Sequence, residues 1–223
     1  TGNVGAGMGA LLLPRLYGTD YGDAFLHLGI IALVIGAWYL WRGHAARSPE
    51  KAAEARASSG VRDTVFVWTR YIAVALMLAY AMSFGLEIAM NAWLPGYYAE
   101  GFKDAIAALG FAGAAQVQIA AGTFAAVQSF NASLFRPFSG YMSDLWQRKG
   151  WTPFPVLAKG LPYSPRIHWL ALALILITGS MAMLTVAGLS GSLVGSVVAL
   201  VAFGIFVSFG TGGTFALVPL LFP

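Results

Sequence analysis

Apolar runs separated by short polar breaks dominate the 223-residue chain. The runs cover residues 24–41, 65–94, 106–141, 167–187 and 193–221. A helix needs roughly 20 apolar residues to cross a bilayer, and the runs lack the strict alternation of a membrane barrel. The pattern therefore predicts transmembrane helices. The run 106–141 is too long for one simple span, so its helix is expected to start near Gly110. Residues 1–16 form a further apolar stretch, too short to cross.

Composition agrees with this pattern. The chain is 58% hydrophobic and 10% charged, with a mean hydropathy of +0.72. Soluble domains carry about a quarter charged residues. The expected class is an all-α, polytopic membrane protein, with the lipid bilayer as its first partner. Cysteine is absent, which removes disulfides and thiolate metal sites. The histidines His27, His44 and His168 are too scattered for a metal site, and no catalytic constellation emerges, so neither a cofactor nor an enzyme is expected.

Basic residues set the orientation. Arg42, Arg47, Lys51, Arg56 and Arg62 lie in or beside 43–64, and Arg148, Lys149, Lys159 and Arg166 in 143–166. The alternate connections, 17–23 and 95–104, hold Lys103 among several acids. The first set is therefore assigned to the cytoplasm. The net charge of +4 follows from this topology. It does not mark nucleic-acid binding, because no basic face is interleaved with stacking aromatics.

The polar segment 43–64 reads as a linker between two helical bundles, with Ser48-Pro49 a helix-start pattern. The bundles are then 1–42 and 65–223. Residues 151–166, with Pro153, Pro155, Pro162 and Pro165, form a second cytoplasmic loop. The chain starts at Thr1 without Met, shows no signal-peptide pattern, and ends just after a span. The expectation is a segment of a longer protein, lacking helices at both ends.

Arg136 is the most informative residue within the apolar runs. Its guanidinium stays charged at any attainable pH, so it should face a bundle interior or a water-filled path. Its planar fork of donors suits a small planar oxyanion. Asn131, Gln128, Gln118 and Gln116 add polar groups on the same stretch. In 65–94, Tyr80, Phe84, Glu87 and Asn91 follow one another at helical spacing and share a face. A carboxylate within a span is a functional-site candidate by default, which makes Glu87 a candidate for proton coupling. The competing reading is a structural pair with Arg136. Arg70 is read as a snorkelling residue at the cytoplasmic end and Trp93 as an interfacial aromatic. Gly2, Gly5, Gly7 and Gly9 near one end, and Gly204, Gly210, Gly212 and Gly213 near the other, are read as sites of close helix approach. Asn3 is the exception, since its amide needs partners.

Five stretches carry a family resemblance. Gly140-Tyr-Met-Ser-Asp-Leu-Trp-Gln-Arg-Lys-Gly150 resembles the loop signature of the major facilitator superfamily. Within it, Gly2-Asn-Val-Gly-Ala-Gly7, the run from Tyr80 to Asn91, Phe135-Arg-Pro-Phe-Ser-Gly140, and Phe209-Gly-Thr-Gly-Gly-Thr-Phe215 with Val218-Pro219 resemble helices 5, 7, 8 and 10 of the nitrate/nitrite porters (NarK-like). The resemblance implies two six-helix halves, of which this chain holds helices 5 to 10. It implies an anion held between one arginine from each half. Arg136 matches the one from the C-terminal half, and Tyr80, Phe84 and Asn3 match pocket positions. Ser139 stands where the family commonly has Gly.

The expected function is secondary transport of nitrate or nitrite across the cytoplasmic (inner) membrane, as in nitrate assimilation, by alternating access around a midplane site. Protons are the candidate coupling ion. Asn91 and Asn131 are further pore candidates. The rival readings are a porter of another small organic anion and a non-transporting membrane subunit.

Overall fold

A computed structural model of the chain describes residues 2–18, 20–43, 70–155, 157, 160, 161 and 163–221; the side chains of residues 2, 3, 21 and 43 are not among those described. Most of 43–64, the expected linker, lies outside the described residues. The described elements are helical: α1 (Gly2–Tyr17), α2 (Tyr21–Gly43), α3 (Tyr71–Tyr80), a π-helical turn (Ala81–Gly85), α4 (Leu86–Gly101), α5 (Lys103–Ala108), α6 (Ala114–Leu134), α7 (Arg136–Lys149), α8 (Ser164–Leu189) and α9 (Leu193–Leu221). No strand occurs among the described residues. Four helices among them are long and apolar enough to cross a membrane: 22–42, 71–101, 164–189 and 193–221. The chain is an all-α, multi-pass membrane protein.

The chain divides into two compact units, 1–18 with 78–223, and 19–77. The smaller unit contains α2 and the start of α3. The larger unit contains the bundle that carries the candidate site. There α9 packs on α8, α6 and α7, while α6 also packs on α1 and α4. The core gathers Leu94, Tyr98 and Ile106 with Ala121, Ala125, Leu200, Phe203 and Val207.

The run 106–141 is not one helix, and its start is not Gly110. Gly110 has φ +96°, and its N–H donates to the Ala107 carbonyl, so it closes α5 instead. The next helix starts at Ala114, where the Gln116 side chain accepts from the Gly113 N–H at 3.3 Å. Gln116 is therefore an end cap. The run breaks again at Phe135, the residue between α6 and α7. Pro137 in the first turn of α7 is the cause, since it has no N–H to give the Ser133 carbonyl.

Small residues set the helix spacing. A Cβ on Gly122 would lie 2.2 Å from the Ala10 carbonyl oxygen, so α1 crosses α6 backbone to backbone. On α9, a Cβ on Gly204 would meet the Gln128 carbonyl at 2.8 Å, on Gly210 the Ser83 Cβ at 2.8 Å, and on Gly212 the Ser139 Cβ at 2.7 Å. The close-approach reading holds for these and for Gly7, which faces Ser129. Gly5 and Gly9 meet no neighbouring helix.

The Pro-rich loop ends earlier than expected, because α8 begins at Ser164. Gly150 ends α7 in the left-handed conformation, φ +65°. His168 organises the rest. The Phe154 N–H donates to His168 Nδ1 at 3.1 Å, and His168 Nε2 donates to the Leu157 carbonyl at 3.0 Å. Phe154 stacks on the ring at 5.6 Å, nearly parallel. A neutral imidazole protonated on Nε2 satisfies both bonds. His168 is therefore a buried staple for the loop.

Candidate functional site

The break at Phe135 places Arg136 at the first position of α7, facing α4. Arg136 Nη2 donates to Glu87 Oε2 at 2.7 Å. The Glu87 side chain is fully buried, whereas that of Arg136 keeps 23% exposure. The pair thus has an inner anion and an outer, partly accessible cation. The other Glu87 oxygen, Oε1, and Arg136 Nε are buried with no hydrogen-bond partner among the described residues.

Aromatic rings form the next wall. The Arg136 guanidinium carbon lies 5.4 Å from the centre of the Phe84 ring. Tyr80 stacks on Phe84 at 5.1 Å, and the edge of Phe215 from α9 meets Tyr80 at 5.6 Å. The π-helical turn 81–85 sits between Tyr80 and Glu87 and aims both. Its Leu86 N–H donates five residues back, to Ala81. Ser83 Oγ donates to the Ala79 carbonyl at 2.9 Å within the same segment. Only the weak helix formers Ser83 and Gly85, in an apolar run, mark the wider turn among the residues themselves.

The remaining sequence candidates fall into separate places. Asn91, one turn beyond Glu87, accepts from Ser129 Oγ at 2.6 Å and joins α4 to α6. The Cβ of Asn131 packs at Gly204 of α9. Gln128 is fully buried, and neither end of its amide has a partner among the described residues. Asn3 belongs to the first turn of α1, and its side chain lies outside the described residues.

Sequence reasoning missed the residue that holds the site's frame, Ser139. Its hydroxyl donates to the Phe209 carbonyl at 2.8 Å and accepts from Trp169 Nε1 at 3.3 Å. One turn below Arg136, it ties α7 to α9 and α8. Lower still, Asp144 of the loop signature pairs with Arg166 of α8 at 2.8 Å.

Chemically, the arrangement presents a permanent cation with part of its donor fork open, beside two aromatic faces, in an apolar surround. It can accept a small anion by charge-assisted hydrogen bonds. Titratable His, Asp or Glu clusters that could hold a metal ion are not found among the described residues.

Comparison with known proteins adds one relative. Over 184 residues the chain is 27% identical to the probable nitrate/nitrite antiporter NarK1 of Thermus thermophilus, covering 75% of this chain and 38% of that protein. The chain thus spans about two fifths of the length of the curated relative it matches. No family model and no solved structure matches the chain. The chain is a multi-pass helical membrane protein similar, over three quarters of its length, to a curated transporter.

Proposed function

We propose that this chain is part of a secondary transporter of nitrate or nitrite in the cytoplasmic membrane, and that Arg136 is the substrate-binding cation of its C-terminal half. The observation that carries the reading is the half-open guanidinium, 23% exposed among apolar helices and lying against Phe84. A charge so placed is costly unless it has a task. Phe84 packs on the planar anion, while Tyr80 and Asn3 supply hydrogen bonds. Residues 1–42 correspond to helices 5 and 6, 43–64 to the connection between halves, and 65–223 to helices 7 to 10.

The similarity to a probable nitrate/nitrite antiporter supports transport and favours an inorganic oxyanion over an organic one, while the guanidinium fork supports an oxyanion of either kind. The test is counterflow of labelled nitrate in proteoliposomes carrying the full-length protein. Nitrate and nitrite added outside should compete, and acetate or lactate should not. Equal competition by the carboxylates would favour the organic-anion porter, and absence of counterflow would favour a non-transporting subunit.

A further inference from the structure

We propose that Phe215 of α9 is a positioning residue of the anion site: its ring holds Tyr80 against Phe84 and so sets the aromatic wall beside the anion bound at Arg136. The inference rests on the reading of Arg136 as the anion site and adds a residue that tunes its affinity.

Four groups stand in order from the cation outward. The Arg136 guanidinium carbon lies 5.4 Å from the centre of the Phe84 ring. Phe84 stacks on Tyr80 at 5.1 Å, with 24° between the ring planes. Tyr80 meets Phe215 at 5.6 Å and 72°, edge to face. Stacked and edge-to-face pairs are the arrangements that ring quadrupoles favour. Each ring therefore helps to set the orientation of the next, and Tyr80 is held by both of its neighbours.

Tyr80 needs the second contact because of its place on the chain. It ends α3, and the π-helical turn that follows carries Phe84. A π turn is rare in itself and occurs mostly at functional sites. Ser83, within this turn, donates its hydroxyl to the Ala79 carbonyl at 2.9 Å, with the Tyr80 carbonyl at 3.3 Å. The regular helical ladder is thus interrupted between the two rings, and packing from outside decides how they stand.

That packing comes from α9. A Cβ on Gly210 would lie 2.8 Å from the Ser83 Cβ, and a Cβ on Gly212 would lie 3.0 Å from the Arg136 carbonyl oxygen. Two glycines thus bring α9 against the turn that carries Phe84 and against the residue that carries the guanidinium. Phe215 follows Gly212 by three residues, on the same side of the helix. With the backbone fixed so close, its reach onto Tyr80 is fixed as well. The glycines set the spacing, and Phe215 turns that spacing into a ring orientation.

The test is nitrate counterflow in proteoliposomes carrying the full-length protein, measured across nitrate concentrations for Phe215→Leu, Phe215→Tyr, Tyr80→Leu and the double variant Tyr80→Leu/Phe215→Leu. Leucine keeps apolar bulk and loses the flat ring. Phe215→Leu should raise the half-saturating nitrate concentration about two- to tenfold, the loss of one ring pair, with a maximal rate close to that of the parent. Phe215→Tyr should restore the parent value. In the Tyr80→Leu background Phe215→Leu should add nothing, because Phe215 acts through Tyr80. If Tyr80→Leu is inactive, the loss in Phe215→Leu and its rescue in Phe215→Tyr decide alone. An unchanged half-saturating concentration in Phe215→Leu overturns the inference, as does an effect of equal size with and without Tyr80. Where Phe215→Leu inserts poorly, Phe215→Met replaces it in the same cycle; poor insertion of both also overturns the inference, because Phe215 would then serve the fold alone. A parent without saturable nitrate counterflow refutes the anion site itself, and this inference with it.

Discussion

Arg136 and Glu87, 49 residues apart in sequence, meet across α7 and α4 at 2.7 Å with the acid buried and the base partly open. The asymmetry determines what each side chain contributes. Breaking a buried pair from one side leaves an uncompensated charge, at about 3–5 kcal/mol. Arg136→Gln strands Glu87 without exposure, whereas Glu87→Gln strands an arginine that still reaches the surround. Arg136→Gln should therefore lower the melting temperature in detergent more than Glu87→Gln does. The double variant should recover most of the loss. Equal losses from both single variants would show that the exposure of Arg136 has no energetic meaning.

Ser139 should be the next most sensitive polar position. Ser139→Ala removes the bond to the Phe209 carbonyl and leaves Trp169 Nε1 without its partner. The expected cost is about 1–3 kcal/mol, the desolvation cost of a buried donor left unpaired. Ser139→Leu should cost more still, since the side chain is fully buried against α9 and has no space for the larger leucine. Thermal unfolding followed by tryptophan fluorescence checks both, and an unchanged Ser139→Ala would remove Ser139 from the frame of the site.

Gly122 and Gly5 test the helix-spacing argument as a pair. Gly122→Ala drives its methyl into the Ala10 carbonyl, a backbone atom with no rotamer to escape by. Overpacking of this kind costs about 1–3 kcal/mol. Gly5→Ala meets nothing within 4 Å and should be neutral or slightly stabilising through helix propensity. Melting temperatures that fall equally for both would contradict the crossing of α1 over α6.

His168 should govern the loop and leave the site alone. His168→Phe keeps the stack on Phe154 and loses both ring-nitrogen bonds. Amide exchange at Phe154 should then accelerate markedly, with that of the α9 core unchanged. Protection at Phe154 equal to that of the parent would mean that the stack alone holds the loop.

The membrane class and most spans were legible in the sequence because hydropathy reports a solvent, and a run such as 193–221 has one way to satisfy it. Arg136 and Glu87 were legible for the same reason, as charges out of place, and their pairing stood among the readings. The break after Leu134 was harder to see. Pro137 was in plain view, but its effect depends on whether neighbouring helices hold the kink. The π-helical turn was not legible, since it is set by one extra residue per turn and not by composition. Ser139 looked like a trivial replacement for glycine because its partners, Trp169 and Phe209, lie on other helices. His168 reads only as one of three scattered histidines, because its partners Phe154 and Leu157 are set by the fold of the loop.

The central claim is that Arg136 binds the transported anion through its planar fork of donors. Nitrate counterflow in proteoliposomes with Arg136→Lys tests it most directly, with the protein's insertion checked by its yield in the liposome fraction. Lysine keeps the charge and loses the bidentate geometry. The account predicts a well-inserted protein whose counterflow falls to near background. Counterflow close to that of the parent would contradict it, and Arg136 would then be a structural partner of Glu87.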